Sequence, residues 1–214
     1  RPKRSLGDDH LTEVAAALLA GRVVPVLGAN PESLALQLAE RFRYPRTEAI
    51  EIPRVSQFAA ATRGYGPLYD ELHALASADC EPTAVHRFFA SLPPFLRERG
   101  AQHQLLVTTE YGDSLERAFA EAEEEVDIVS YIASGRNRGR FCHLAPDGGA
   151  RVIDVPNTYA TEVALDRRTV ILKVRGGIDA SPAREWESFV VTEDDYIEYL
   201  GRADVASGVP VGLA

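Results

Sequence analysis

Three short apolar runs in this chain each close on a turn of glycine and polar residues, and that grammar narrows the folds it can adopt. Val23-Val24-Pro25-Val26-Leu27 runs into Gly28-Ala29-Asn30. Residues 104–108 end in Thr108-Thr109-Glu110-Tyr111-Gly112-Asp113. Residues 170–174 lead into Arg175-Gly176-Gly177-Ile178-Asp179. Continuous apolar runs, rather than alternating ones, mark strands buried on both faces, as parallel strands are. Amphipathic helical stretches at 10–20, 33–42 and 114–121 fall before and between them. Strands alternating with helices predict an α/β fold: a Rossmann-like parallel sheet flanked by helices. In such sheets ligands bind beyond the carboxyl ends of the strands. The three polar strand ends are therefore expected to share one crevice.

The remaining segments fit around that frame. Pro25 removes one ladder donor from the first strand. Residues 45–100 read as a helical insertion, with helices at 54–62, 67–77, 83–91 and 94–99 punctuated by Gly64, Gly66, Pro82 and Pro93. Another strand spans 126–131. Residues 134–165 read as a small region of short strands and turns, with Pro146-Asp147-Gly148-Gly149 as its hairpin. Asp113 can cap the helix at 114–121. Thr192 and Asp195 stand at capping-box spacing before a last helix through Leu200. The 214 residues suffice for a single domain. The chain opens on Arg1 and is expected to be the N-terminal part of a larger protein.

Composition excludes some functions. With 32 acidic and 23 basic residues the net charge is −9, so direct nucleic-acid binding, which needs a basic surface, is not expected. No apolar run reaches the length of a membrane span. Cys80 and Cys142 form no Cys-x-x-Cys pair and cannot supply a four-cysteine zinc module, so no metal site is expected. A reducing cytoplasm is the default compartment. None of the five histidines has metal-ligand spacing. His86, in a helical stretch, reads as a core or cap histidine, and Cys142-His143 as part of a strand.

The three strand ends also carry a resemblance. Val24-Pro25-Val26-Leu27-Gly28-Ala29-Asn30 resembles the strand and Gly-Ala-Gly loop that open the sirtuin-like fold. Leu106-Val107-Thr108-Thr109-Glu110-Tyr111-Gly112-Asp113 with Leu115-Glu116 resembles that family's Thr-Asn-Tyr-Asp segment. Ile171-Leu172-Lys173-Val174-Arg175-Gly176 with Asp179 resembles its Lys-Leu-His-Gly strand. Val191-Thr192-Glu193-Asp194-Asp195-Tyr196 is similar to a helix start of the bacterial sirtuin-like branch. The resemblance implies an NAD-binding domain. It also implies a setting in anti-phage defence, where NAD-depleting effectors are fused to or partnered with a sensor. Its ligand is then NAD or an ADP-ribose-like nucleotide. Gly28, Ala29, Asn30, Thr108, Thr109, Tyr111, Asp113, Lys173, Gly176 and Asp179 are the implied cofactor-binding positions. Homo-oligomerisation is compatible with this reading. The zinc-bearing deacetylase branch matches less well, because its cysteines are missing.

The departures bear on activity. Glu110 stands at the family's Asn and Arg175 at its general-base His. Asn30 replaces the third loop glycine, the Asp after the Tyr is displaced to Asp113, and the stretch from Asn30 to Ser33 is shorter than the family's loop. A general base needs a pKa near the working pH, whereas arginine stays protonated. Arg175 could instead hold a phosphate in bidentate fashion or pair with Glu110. Glu110 could accept from ribose hydroxyls, orient a water or stabilise positive charge at an anomeric carbon. Three readings follow: a catalytically degraded NAD-binding module, an NAD hydrolase using Glu110, and a structural or oligomerisation domain whose pocket a Glu110–Arg175 pair closes. Lys173 needs a partner if buried, and a salt bridge or a ligand would serve. Asp113 is a helix cap before it is a catalytic acid.

Overall fold

A computed structural model describes residues 6–28, 31–78, 81–159, 161–201, 209–210 and 213. Six strands form the main sheet: β1 (Val26–Leu27), β2 (Leu105–Thr108), β3 (Val126–Tyr131), β4 (Phe141–Leu144), β5 (Ala150–Val152) and β6 (Thr169–Lys173). Their order is β1-β2-β6-β3-β4-β5. The first four in that order run parallel. The α/β expectation therefore holds. β4 and β5 form the expected small hairpin. They extend the main sheet as antiparallel strands beside β3, joined through Ala145–Gly149, where Gly148 has a φ of +85°.

The buried runs explain the layering. In β6 every residue is buried, and successive side chains enter different cores. Ile171 packs with Leu106, Leu115, Ala118 and Phe119 on one face. Val170 and Leu172 pack on the other with Leu105, Val129, Tyr131, Phe141 and Tyr159. β1 is shorter than the apolar run that encodes it. Pro25 has no N–H, yet its carbonyl still accepts from Val107 N at 2.9 Å.

The helices are α1 (Leu6–Leu19), α2 (Pro31–Phe42), α3 (Ile52–Arg63), α4 (Tyr65–Ala78), α5 (Ala84–Ala90), α6 (Leu92–Glu98), α7 (Ser114–Glu121), α8 (Pro156–Tyr159) and α9 (Glu193–Gly201). The stretch 45–100 is helical as expected, through α3 to α6. Leu38 of α2, Val55 of α3 and Leu68 and Leu72 of α4 pack with Tyr111, Phe189 and Val191 in a second core. Phe189 belongs to a two-stranded sheet, β7 (Gly176–Gly177) with β8 (Ser188–Phe189), which the sequence pattern did not reveal. α9 starts on the expected box: Asp195 N donates to Thr192 Oγ1 at 3.1 Å, and Thr192 N donates to Asp195 Oδ2 at 3.0 Å. Asp113 holds the N-cap position of α7 without a side-chain cap bond. Its carboxylate takes Arg117 Nε at 2.9 Å instead, because a guanidinium one turn along competes for it.

Candidate functional site

Strand register brings the three polar ends abreast. Leu27 pairs with Thr108, and Thr108 pairs with Lys173. Neighbouring strands lie roughly 4.8 Å apart, so the three turns begin side by side on one edge of the sheet. Beyond that edge they part, and the residues expected to share a crevice divide into groups with different surroundings.

Gly28 and Glu110 line a cleft. It holds about 420 Å³, and Pro25, Val26, Thr83, Val85, His86 and Phe89 also line it. That volume lies within the ~300–1,000 Å³ usual for ligand pockets. Gly28 is open toward it: a Cβ placed there would meet only Thr109 Oγ1, at 3.8 Å. Glu110 is oriented at its backbone by Thr108, whose buried hydroxyl accepts from Glu110 N at 3.0 Å. Thr109 N donates to Leu27 O at 3.0 Å and closes the β1–β2 edge. Ala29 and Asn30 lie outside the described residues.

The side chain of Glu110 is held from α5. The ring of His86 Nε2 stands 3.4 Å from Glu110 Oε1 and 3.3 Å from Oε2. His86 is itself fixed by a capping box, in which His86 N donates to Thr83 Oγ1 at 3.4 Å and Thr83 N donates to His86 Nδ1 at 3.2 Å. An Nδ1 that accepts an amide N–H carries no proton, so Nε2 is the donor and points at the carboxylate. His86 was read from the sequence as a core or cap histidine. It is both, and the cap is what aims it. The Thr83-x-x-His86 spacing was the available signal.

Arg175 is elsewhere. Its guanidinium carbon lies 5.3 Å from the ring centroid of Tyr196 on α9. Among the described residues no ion pair joins it to Glu110, so the expected closure of the pocket by a Glu110–Arg175 pair is not found. The α5 histidine reaches the carboxylate, while the arginine lies over the ring of Tyr196. Tyr111 is buried in the core, its hydroxyl donating to Val190 O at 2.7 Å and its ring edge-on to Phe189. Burial pushes its phenol well above the usual range.

Lys173 makes a salt bridge. It is 3 % exposed and donates to Glu116 Oε1 at 2.7 Å and Gly112 O at 2.6 Å. Gly176 and Gly177 are required by packing. At Gly176, φ is +73° and a Cβ would lie 2.1 Å from Ser188 O. At Gly177 a Cβ would lie 2.7 Å from Lys173 Cε. Asp179 shapes its own loop by accepting from Ser181 N at 2.8 Å and Trp186 N at 3.1 Å.

A second cleft, of about 330 Å³, opens at the amino-terminal end of the parallel strands, where Asp127, His143, Arg167 and Arg168 line it. There His143 Nε2 donates to Asp127 Oδ1 at 2.8 Å, and His143 Nδ1 is hydrogen-bonded to the Tyr159 hydroxyl at 2.9 Å. No group of three or more His, Cys, Asp or Glu side chains among the described residues could hold a metal ion. No helix among them is long and apolar enough to cross a membrane.

Comparison with known families agrees with the geometry in the second half of the chain. Residues 104–208 match the SIR2-like domain, a span of just under half the chain that includes β2, β6 and the turns after them. No curated protein matches the chain.

Proposed function

We propose that the chain as a whole is one SIR2-like domain that binds an NAD-type dinucleotide at the Gly28–Glu110 cleft. We further propose that it serves as a catalytically degraded effector or sensor module in bacterial defence or signalling. The observation that carries this reading is the place of Arg175, which lies over Tyr196 and does not line the cleft. By the resemblance it corresponds to the family's general base, and an arginine stays charged.

The residues present fit a nucleotide. Open space over Gly28 lets a ligand approach the backbone. α2 begins three residues later, and the N-terminus of a helix favours a phosphate. Apolar walls from Val26, Val85 and Phe89 suit a base. A dinucleotide bound there would place Glu110 beside a ribose or its base.

The Glu110–His86 pair favours a second reading, an active NAD glycohydrolase. A fixed carboxylate could stabilise positive charge at the anomeric carbon as nicotinamide leaves and water attacks. Calorimetry with ADP-ribose and a nicotinamide-release assay separate the two. Binding without release supports the degraded module. Release that Glu110→Gln lowers on the order of a hundredfold, as when one stabilising group is lost, supports the hydrolase. Absence of both at millimolar nucleotide overturns the nucleotide reading.

A further inference from the structure

β1 is an outer strand of the main sheet, and among the described residues only β2 pairs with it. Pro25 O accepts from Val107 N and Leu27 O from Thr109 N, so these two residues turn their peptide groups toward β2. Successive residues of a strand face opposite edges. The N–H and C=O groups of Val24 and Val26 therefore face outward. Proline commonly stands in an edge strand with its missing donor toward solvent. At Pro25 the missing donor falls on the paired side, and the outer edge keeps its own. Side chains do not blunt that edge either. Residues 23–28 carry no charge, and Val24 and Val26 are 50 % and 69 % exposed. Such an edge is a template for another strand. Its two ends differ in charge. Exposed Arg22 stands at the start and joins no ion pair among the described residues, while its amide, donating to Ala17 O, ends the open edge there. At the other end Gly28 lines the cleft together with Glu110.

We propose that β1 pairs antiparallel with β1 of a second copy of this chain, joining two sheets across a two-fold axis and bringing Arg22 of each copy to the cleft of the other. Outward-facing residues must oppose one another in such a ladder. A two-fold axis at Pro25 sets Val24 opposite Val26 of the second copy, and Arg22 opposite its Gly28. Pairing the edge with itself thus sets its basic end against its acidic end twice over, which an unrelated strand would not do. That charge complementarity, on an interface of one self-complementary patch, selects a second copy as the occupant. The cleft between β1, α5 and the turn after β2 then gains a cation that its own chain does not supply. The inference does not depend on what the cleft binds.

Analytical ultracentrifugation of the full chain, from low micromolar to near-millimolar concentration, tests it together with amide hydrogen exchange. The chain is expected to pass from monomer to dimer across the series, and the Val26 amide should exchange more slowly as the dimer fills. Val26→Lys puts a charge on an exposed edge position and should weaken the dimer at least about tenfold. Arg22→Glu sets like charges together at both ends and should weaken it on the order of tenfold. Arg22 lies outside β1, so this variant carries the test if Val26→Lys does not fold. Raised salt should weaken the wild-type dimer and act less on Arg22→Gln. A chain that stays monomeric throughout overturns the proposal. So does a dimer in which the Val26 amide exchanges at an unchanged rate, or one that Val26→Lys leaves intact, because the contact would then lie on another face. A dimer that keeps its strength in Arg22→Glu overturns the antiparallel register and the shared cleft with it.

Discussion

At the carboxyl end of the parallel strands His86 donates to Glu110, and at the amino end His143 donates to Asp127. The residue types match, but the surroundings do not. Asp127 is 3 % exposed along its side chain, and its second oxygen faces Arg168 Nε at 3.6 Å. His143 is closed on its other side by the Tyr159 hydroxyl. That network ties β3, β4 and α8 together, and each of its polar atoms meets another side chain. Glu110 shares its cleft with open space and a single neutral donor. Both pairs line a cleft, but His143 and Arg168 both meet Asp127, whereas among the described residues only His86 pairs with the Glu110 carboxylate. The first pair is a staple, and the second is the one we propose as a recognition element.

The largest expected effect falls on the staple. Asp127→Ala would leave His143 Nε2–H buried without an acceptor and Arg168 without its buried counter-charge. Loss of one member of a buried, hydrogen-bonded pair costs about 3 kcal/mol. Urea unfolding should show the midpoint falling with an unchanged slope. An Asp127→Ala protein as stable as the parent would erase the distinction between the two pairs from the staple side.

A smaller effect separates the way the two histidines are aimed. Thr83→Ala removes the cap oxygen that accepts from His86 N. A lost N-cap costs about 1 kcal/mol, read again from urea melts. The position of the His86 ring should then loosen, although the amide of residue 83 can still donate to Nδ1, and ¹⁵N chemical shifts of the imidazole report this directly. His143 is not tied to a helix cap, so its ring shifts should not change. Movement of both would mean that the two ends of the sheet are coupled.

Sequence reading recovered the layered α/β frame because buried parallel strands announce themselves as apolar runs. Leu106 and Ile171 facing one core and Val170 and Leu172 the other follow from that alone. It also found the Thr192–Asp195 box, which is local. It missed β7 and β8, since the two-residue strands Gly176–Gly177 and Ser188–Phe189 have no periodicity to read. It located the β4–β5 hairpin by its turn but not its place beside β3, because strand neighbours are settled by tertiary packing. Within the site, register alone put Gly28, Thr108 and Lys173 side by side. The partner of Glu110 escaped, because His86 lies 24 residues upstream and only the packing of α5 over the sheet brings it in. Gly176 and Asp179, ligand positions by the motif, also have structural roles, in backbone packing and a loop turn.

The smallest stability effect is the one that tests the recognition element most sharply. In Glu110→Gln the amide oxygen can still accept from His86 Nε2, and Thr108 Oγ1 still holds the backbone amide of residue 110. The charge is lost, but its removal also lifts the cost of keeping a carboxylate partly out of water. The two changes oppose each other, and the unfolding free energy should move by less than about 0.5 kcal/mol, the range of substitutions that break no buried network. A loss of about 2 kcal/mol or more in urea would place Glu110 with Asp127 as a structural anion. A stable Gln variant, set beside a weakened Asp127→Ala, would mean that the fold keeps one carboxylate for its own integrity and leaves the other, with its charge intact, to the cleft.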